Sequence, residues 1–299
     1  MAESNRVRIA YRPAGAADTA WITLRRTGDA LTVGTETVSS DEVRADRLKG
    51  GQKVVTQTAG GSIDLEFSAK SYDDLLAGAF MTEWDTNELT VGTESIKFDF
   101  LKSYLDEGKH VLIENAEVSN LSLTMDSASK ITGQITVMGT TLDTEYDAVG
   151  AEFTDAGTTL IMDSSNNLGS IKVDGTAITG MCFTAMGLTL NNNHQSDQCV
   201  GSVTQNHFKG SAEVTGSITA RSSAAAFELW QNSINNIPVS LSYTLSDDTN
   251  SYEVKVASAY LSGDLPSGGL DAILSFDMDF TAAASADGDY LSITRETTP

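Results

Sequence analysis

The sequence predicts a mainly β protein built from two tandem copies of one sandwich domain, each with one flanking α-helix. Three observations predict it. Apolar and polar residues alternate along many short segments, four short motifs recur in the same order about 155 residues apart, and a helical pattern follows the third motif each time. Alternation with period two is typical of strands. A repeat this long is a whole domain, because solenoid repeats span only roughly 20–50 residues.

Four motif pairs carry the repeat, and their spacing drifts only from 157 to 155 residues. In order they are Ala30-Leu31-Thr32-Val33 with Gly187-Leu188-Thr189-Leu190, Ser40-Asp41 with Ser196-Asp197, Gly61-Ser62-Ile63 with Gly216-Ser217-Ile218, and Tyr72-Asp73 with Phe227-Glu228. A chain of 299 residues accommodates two domains of ordinary size. We therefore predict one domain over residues 1–150 and a second over residues 151–299.

Strands are predicted wherever apolar and polar residues alternate, because one face then enters a core and the other meets water or a partner. The clearest cases are residues 63–67, 121–125, 131–137 and 276–280. The polar stretch at 126–129 predicts a hairpin turn between two of these strands, and residues 265–269 take the comparable place in the second copy.

One helix per copy is predicted a few residues after the Gly-Ser-Ile motif. In the first copy Ser71 is the expected N-cap, and apolar residues recur at helical spacing as far as about Trp84. In the second copy Ser222 or Ser223 is the expected cap. The side chains assigned to the flanking helices are Tyr72, Asp73, Leu75, Leu76, Phe227, Glu228 and Leu229.

The charge balance is strongly acidic, with 41 acidic against 19 basic residues and a net charge of −22. Without a basic stripe the chain cannot hold nucleic acid by counterion release, and its field repels phosphate. No apolar run approaches the ~18 residues of a membrane span. The start of the chain has no secretory signal pattern, which predicts synthesis in a cytoplasm. Cys182 and Cys199 lack CxxC spacing and predict free buried thiols.

Motifs for catalysis and metal binding are missing from the sequence. It contains no GxGxxG before a helix, no GxxxxGK[ST], no HExxH and no GxSxG. His207 and Cys199 are too few ligands for a metal, and His194 lies in an asparagine-rich stretch that predicts a surface loop. Asp277 and Asp279 share a strand face, as alternation on a solvated strand explains. We predict no catalytic residue, no metal site and no cofactor. Repeated sheets whose edges need pairing favour a structural subunit.

Several stretches of the first copy stand in a characteristic order. They are RTGDAL at 26–31, SDEVRADR at 40–47, GSIDLEF at 61–67 and SYDDLL at 71–76, followed by VSNLSL at 118–123 and KITGQITVMG at 130–139. In this order they resemble the major tail tube proteins of long-tailed, non-contractile (siphovirus-type) bacteriophages. The first 140 residues carry most of the resemblance, and the second copy resembles the family more loosely.

The resemblance implies β-sandwich sheets that close into a β-barrel around a central channel, with a helix on the outside. It also implies a virion protein that polymerises into stacked rings around the tape-measure protein, between the tail terminator and tail tip proteins. DNA leaves through the bore without specific binding. Rings of this family hold six tube domains. Two domains per chain therefore predict three chains per ring, with pseudo-sixfold symmetry and helical stacking.

Two sets of residues are predicted at assembly surfaces. Asp64 and Glu66 are candidates to line the bore, although period two alone also allows the outer face. A basic, glycine-bearing stretch in an acidic chain is the candidate ring-to-ring or subunit contact, with a solvated loop as the alternative. It consists of Arg47, Leu48, Lys49, Gly50, Gly51, Gln52 and Lys53.

Two other functions remain open from the residues alone. A non-catalytic binding module of the tail tip or an adhesin would favour exposed aromatic clusters, but aromatic residues make up 7% of the chain and are not clustered. An enzyme acting on polysaccharide would need a carboxylate pair in a cleft, which the sequence neither places nor excludes. We expect the structural role.

Overall fold

The computed structural model describes residues 3–46, 48–247 and 249–297, and it is mainly β. A 3-10 turn at Ser4–Arg6 precedes the first strand, and the two α-helices are α1 (Asp73–Phe80) and α2 (Ala224–Ile234). The strands are β1 (Val7–Pro13), β2 (Trp21–Thr23), β3 (Gly28–Asp29), β4 (Thr32–Ser39), β5 (Gln52–Glu66), β6 (Glu88–Thr90), β7 (Phe98–Tyr104), β8 (Lys109–Asp126), β9 (Thr132–Gly139), β10 (Thr141–Asp143), β11 (Phe153–Thr154), β12 (Lys172–Val173), β13 (Thr176–Ala177), β14 (Phe183–Asn191), β15 (Gln195–Asp197), β16 (Asn206–Phe208), β17 (Glu213–Arg221), β18 (Val239–Ser246), β19 (Asn250–Gly263), β20 (Ser275–Ala282) and β21 (Leu291–Thr297).

A long antiparallel sheet, here called the main sheet, runs through the molecule in the order β4-β5-β9-β8-β14-β17-β20-β19. Its inward side chains alternate with polar ones, as the period-two pattern predicts. One register row, for example, joins Ile63, Ile135, Leu121, Leu190 and Val214, all buried. The main sheet is open within the described residues, since β4 pairs there only with β5.

The same order of pairings occurs in both halves of the chain. In the first half β5 pairs with β9 and β9 with β8, and in the second half β17 pairs with β20 and β20 with β19. The glycines of the two Gly-Ser-Ile motifs take the same place, because Gly61 lies opposite Val137 and Gly216 lies opposite Phe280. The join between the halves is the pairing of β8 with β14.

Both β8 and β19 leave the main sheet and enter a second layer as one arm of a hairpin. Their partners are β7 and β18. Each hairpin contains a bulge at the same point: the pairing moves from Phe98–Ala116 to Phe100–Ile113 in one. It moves from Val239–Ala259 to Leu241–Val256 in the other. A bulge pins the register of a strand pair, so it aligns the two hairpins residue by residue without sequence identity.

The apolar side chains of both halves form one contiguous core between the layers. A smaller cluster of Ala10, Trp21, Leu101 and Leu112 lies beside it. Among the inner faces, β1 contributes Ile9 and Tyr11, which are 1% and 3% exposed. Burial at about 25 cal/mol per Å² of apolar surface makes this shared core the main source of stability for both halves.

The two helices exist where they were predicted, but α1 is shorter. It begins at Asp73 with Tyr72 as N-cap, whereas the predicted cap Ser71 bonds Ser68 through its hydroxyl at 2.8 Å. It ends at Phe80, because the next residue, Met81, has a left-handed backbone (φ 54°) that stops the helix before Trp84. In α2 the predicted cap Ser223 is confirmed, since its hydroxyl oxygen accepts the amide hydrogen of Ala226 at 3.1 Å.

Gly61 is expected to be irreplaceable. Its φ is +136°, and a Cβ there would lie 2.2 Å from the carbonyl oxygen of Ala30, where no side chain can give way. We expect Gly61→Ala to lower the free energy of unfolding by about 2–3 kcal/mol in urea titrations. Gly51→Ala is the matched control, because a Cβ at Gly51 meets nothing within 4 Å. Equal stability of the two variants would contradict the strained geometry.

Candidate assembly surfaces

The outer face of the main sheet is continuous and polar. Residues directly opposite one another in antiparallel strands share a face, so each register row can be followed across the strands. One row joins Asp64, Gln134, Ser122, Thr189, Thr215 and Thr281. The next row joins Glu66, Thr132, Thr124, Gly187, Ser217 and Asp279. From β5 to β20 along the pairing order neither row contains an apolar side chain, although both cross from one half of the chain to the other, and on β19 the first row continues to Tyr260.

This polar face is acidic. Its carboxylates are Asp64, Glu66, Asp126, Glu213, Asp277 and Asp279, and they face two cations, Lys130 and Arg221. Lys130 binds Glu66, whereas Asp64 accepts a hydrogen bond from the Gln134 amide at 2.7 Å. Carboxylates in excess on one surface make its potential negative. Asp277 and Asp279 belong to this face, and the Thr219 hydroxyl donates to Asp277 at 2.8 Å.

Strand β4 is the exposed edge of the main sheet. Its residues from Thr35 to Ser39 are exposed, and in the described part of the chain it has a partner only on the β5 side. By contrast β14, which holds the same place in the pairing order of the second half, is flanked by β8 and β17. A bare edge of this length presents unpaired N–H and C=O groups that suit another strand.

The β4–β5 hairpin continues beyond the main sheet to the predicted basic stretch. Leu48, Lys49, Gly50 and Gly51 lie in the connection between the strands, as expected for a loop. Loop conformation was the wrong expectation for Gln52 and Lys53, which belong to β5 and lie opposite Ser39 and Val38, while the contact expected of them stays a prediction. The hairpin pairing extends further than composition suggested because Thr and Val suit strands on both sides. Arg47 lies outside the described residues.

A clamp from the second half holds the base of this hairpin. The Gln198 side chain donates to the carbonyl oxygen of Val55 at 2.6 Å and accepts the hydroxyl hydrogen of Thr56 at 2.8 Å. Nearby, the Gln57 amide donates to the carbonyl oxygen of Val203 at 2.8 Å. Only the part of the hairpin beyond Val55 therefore projects freely. Nothing in the sequence around Gln198 signals this contact.

A buried contact between a histidine and a carboxylate lies at the join between the halves. His194 Nε2 is 3.0 Å from a carboxylate oxygen of Glu117, and the His194 side chain is fully buried. The prediction of a surface loop at His194 is therefore wrong, because tertiary packing covers it. Burial alone would raise the pKa of Glu117, but hydrogen bonds from His194 and Ser95 and the positive charges of His194 and Lys97 outweigh it. They hold that pKa at about 2.

Asn192 closes the same join two residues away. Its side-chain amide donates to the carbonyl oxygen of Ala79 at the end of α1 at 2.9 Å and to that of Val118 in β8 at 3.0 Å. Ala79 belongs to a helix end whose carbonyls lack helical partners, so Asn192 supplies a needed donor. The join therefore depends on polar contacts as well as on strand pairing.

The first helix is covered by the second half of the chain. Asp73 accepts a hydrogen bond from the Tyr252 hydroxyl at 2.9 Å and pairs with Arg295 at 2.5 Å. Arg295 in turn lies over the Trp84 ring at 4.2 Å. The pKa of Tyr252 is raised by its burial and by the charge of Asp73.

The predicted helix residues fall into two groups. Tyr72, Leu75 and Leu76 are buried, and every α1 residue from Leu75 to Phe80 is buried. The first helix packs against β8 of its own half, and the second half covers it in addition, so α1 is enclosed within the chain. In α2, Leu229 is buried but Phe227 and Glu228 are exposed, so this helix does flank the sheet.

The two cysteines and His207, which the sequence raised as possible reactive or metal-binding residues, lie in ordinary structural settings. Cys182 and Cys199 are free thiols as predicted, but both are exposed rather than buried. His207 is engaged by the hydroxyl of Ser196 and the carbonyl oxygen of Gly139. Among residues 3–46, 48–247 and 249–297 no three His, Cys, Asp or Glu side chains are grouped to hold a metal. Neither helix in this described part has the length and apolar character needed to cross a membrane.

Acid should weaken the join through Glu117. Because its folded pKa of about 2 lies below the ordinary 4.5, its contribution is present above pH 4.5 and is lost as the pH falls towards 2. We expect wild type to lose about 3 kcal/mol more unfolding free energy than Glu117→Gln across that range. Urea titrations at several pH values measure this difference. Glu36→Gln, at an exposed site, should follow wild type. Parallel profiles for wild type and Glu117→Gln would contradict this role.

The comparisons with known proteins place these surfaces in context. The sequence model of a family described as phage tail tube protein matches residues 4–289. A search of curated proteins found no match. The family match spans both halves of the chain and agrees with the resemblance carried by its first 140 residues. The chain therefore belongs to the phage tail tube protein family.

Proposed function

We propose that this chain is the structural subunit of a siphovirus-type tail tube, a conduit of stacked rings through which the phage genome is ejected. Membership of the tail tube family supports the structural role. One observation carries the detail: a polar, acidic sheet face crosses both halves of the chain, and at β5 it ends at the outer edge that β3 and β4 form. Such a face suits the wall of a water-filled bore, and such an edge suits continuation into another subunit.

The acidic face supports a bore that does not retain DNA. Asp64 and Glu66 lie on the same face as Asp277 and Asp279, so one bore would receive carboxylates from both halves. Uniform negative charge repels phosphate and offers no counterion release on contact. The genome then passes without being held. In this role the protein needs neither a catalytic centre nor a cofactor.

The repeated pairing order supports rings of three chains. Residues 1–150 and 151–299 each provide one tube unit, and the β8–β14 pairing joins the two units of a chain. Repeating this join between chains sets β4 of one copy beside the free edge of β19 in the next. A head-to-tail contact that closes makes a ring, and three chains then supply six units with pseudo-sixfold symmetry.

The projecting β4–β5 hairpin supports stacking of rings. Arg44 pairs with Asp46 at 2.9 Å, but residues 48–55 carry Lys49 and Lys53 and no acidic residue, while the chain as a whole has a net charge of −22. Complementary charge brings the tip of one ring to the acidic surface of the next. The tube so formed surrounds the tape-measure protein and ends at the tail tip and tail terminator proteins. It is part of the virion, and its subunits are made in the bacterial cytoplasm.

End-on electron microscopy of assembled protein tests the ring. We expect threefold symmetry with six lobes around an open bore, and a high-resolution map that places Asp64 and Glu66 on the bore wall. Rings of six chains would preserve the tube role and contradict two tube units per chain. A subunit that stays monomeric even with tail tip and tape-measure proteins present would contradict the tube role.

Charge reversal at the hairpin should separate ring formation from stacking. We expect Lys49→Glu combined with Lys53→Glu to form rings that no longer stack, because the tip then repels the acidic ring below it. Negative-stain images and sedimentation distinguish rings from tubes. The control is Lys255→Glu, which reverses an exposed charge on β19, away from the hairpin, and should form normal tubes. Normal tubes from the hairpin variant would show that this loop is merely solvated.

A further inference from the structure

The two helices hold equivalent positions but differ sharply in exposure. Tyr72 and Phe227 each lie eleven residues after the motif glycine, Gly61 or Gly216. Tyr72 is 2% exposed, whereas Phe227 is 41% exposed. Seven residues further along, Ala79 is 1% exposed and its counterpart Ile234 is 65% exposed. The second helix thus shows an apolar side that the first helix keeps covered.

The apolar surface of α2 continues onto the segment between β19 and β20. Trp230 donates from its ring nitrogen to the carbonyl oxygen of Gly263 at 3.0 Å, and the Ser222 amide donates to that of Leu274 at 2.9 Å. These bonds hold the segment beside the helix. The exposed apolar residues of this surface, here called the α2 patch, are Phe227, Ile234, Ile237, Leu265, Leu270, Ile273 and Leu274. A connected patch of this kind marks an interaction site.

Two backbone groups beside the α2 patch have no hydrogen-bond partner among the described residues. In the first half the Phe67 amide donates to Ile131, and Met162 completes the set by donating to Phe67 and accepting from Ile131. In the second half the Ser222 amide donates to the Leu274 carbonyl oxygen at 2.9 Å, which corresponds to the bond from Phe67 to Ile131. Within the described residues no backbone segment takes the place of Met162 there. The Leu274 amide and Ser222 carbonyl are therefore free for another chain.

The covering of α1 shows what a partner must provide. At Asp73 the second half supplies the Tyr252 hydroxyl from the β18–β19 hairpin. The matching bulges align this hairpin with β7–β8. The fifth pair after the bulge is Leu245–Tyr252 in one hairpin and Tyr104–Lys109 in the other. Lys109 therefore corresponds to Tyr252.

Glu228 corresponds to Asp73, since each lies twelve residues after its motif glycine. Both Lys109 and Glu228 are exposed in the single chain. Lys109 and Glu228 therefore carry opposite charges at the positions that correspond to Tyr252 and Asp73, which are hydrogen-bonded to each other.

We propose that the first half of a second copy of this chain covers the α2 patch, with its Lys109 opposite Glu228. This inference rests on the proposed ring, and it specifies the contact between neighbouring chains. The occupant follows from the structure, because the first half is built like the second half that covers α1. The opposite charges of Lys109 and Glu228 fit it, whereas two identical α2 patches would bring Glu228 against Glu228. The contact is head-to-tail, which forms a ring when the rotation between successive copies closes, as in the proposed trimer.

A charge swap tests this pairing. We expect Lys109→Glu or Glu228→Lys alone to raise the protein concentration needed for rings about fivefold, since each places like charges together. Combining the two should restore wild-type assembly. Circular dichroism should be unchanged throughout because both side chains are exposed. Lys255→Glu is the control for a surface charge reversal in the second half and should assemble normally.

The apolar part of the contact needs its own variant. We expect Leu270→Asp combined with Ile273→Asp to abolish rings while the monomer stays folded, because these side chains are 96% and 71% exposed. Val200→Asp, at a fully exposed site in the clamp, should assemble normally. Hydrogen exchange at the Leu274 amide should slow upon assembly.

The outcomes separate the two proposals. If wild type forms tubes and neither the charge variants nor the patch variant alters assembly, the α2 contact is overturned and the tube role stands. If single reversals weaken assembly but the swap fails to rescue it, the Lys109–Glu228 pairing is overturned. If wild type forms no rings with tail tip and tape-measure proteins present, both proposals are overturned.

Discussion

The pairing of backbone groups along the main sheet is the constraint on which the rest of the molecule depends. In the main sheet, each strand between the two ends β4 and β19 has a neighbouring strand on both sides. These neighbours pair with its N–H and C=O groups in both halves of the chain. Because the rows stay in register, apolar and polar faces remain separate across the join. A common core and a continuous acidic face both follow from that register.

The join within the chain depends on more than strand pairing. Asn192 bonds two carbonyl groups there, and Glu117 is buried against His194. Buried polar groups must find partners, so these contacts allow one arrangement of the halves and penalise others. The bare edge of β4 carries neither group: its strand is Thr- and Val-rich and exposed. The join between the halves is therefore complete within one chain. Under our proposal the free edges of the sheet pair with neighbouring chains.

The surface has three distinct parts, which differ in charge, in polarity and in how far they project from the main sheet. The main sheet presents carboxylates on its polar face, and the β4–β5 hairpin presents Lys49 and Lys53 beyond it. The Gln198 clamp secures the base of the hairpin and leaves its tip free. The α2 patch brings seven exposed large apolar side chains onto one helix and the segments beside it. Under our proposals each part serves a different kind of contact: with the bore contents, with another ring, or with a neighbouring chain.

The sequence by itself determined the local pattern, because alternation, caps and turn residues act over a few neighbours. It predicted the strand faces around Ile63 and Phe276, the cap at Ser223 and the turn after Asp126, and its motifs pointed to the tail tube family. Only the tertiary structure decided which loops become buried. His194 was expected at the surface and instead pairs with Glu117, 77 residues away, since burial depends on elements that are distant in sequence. The same reason applies to the enclosed α1 and the exposed α2, whose similar local patterns receive different neighbours.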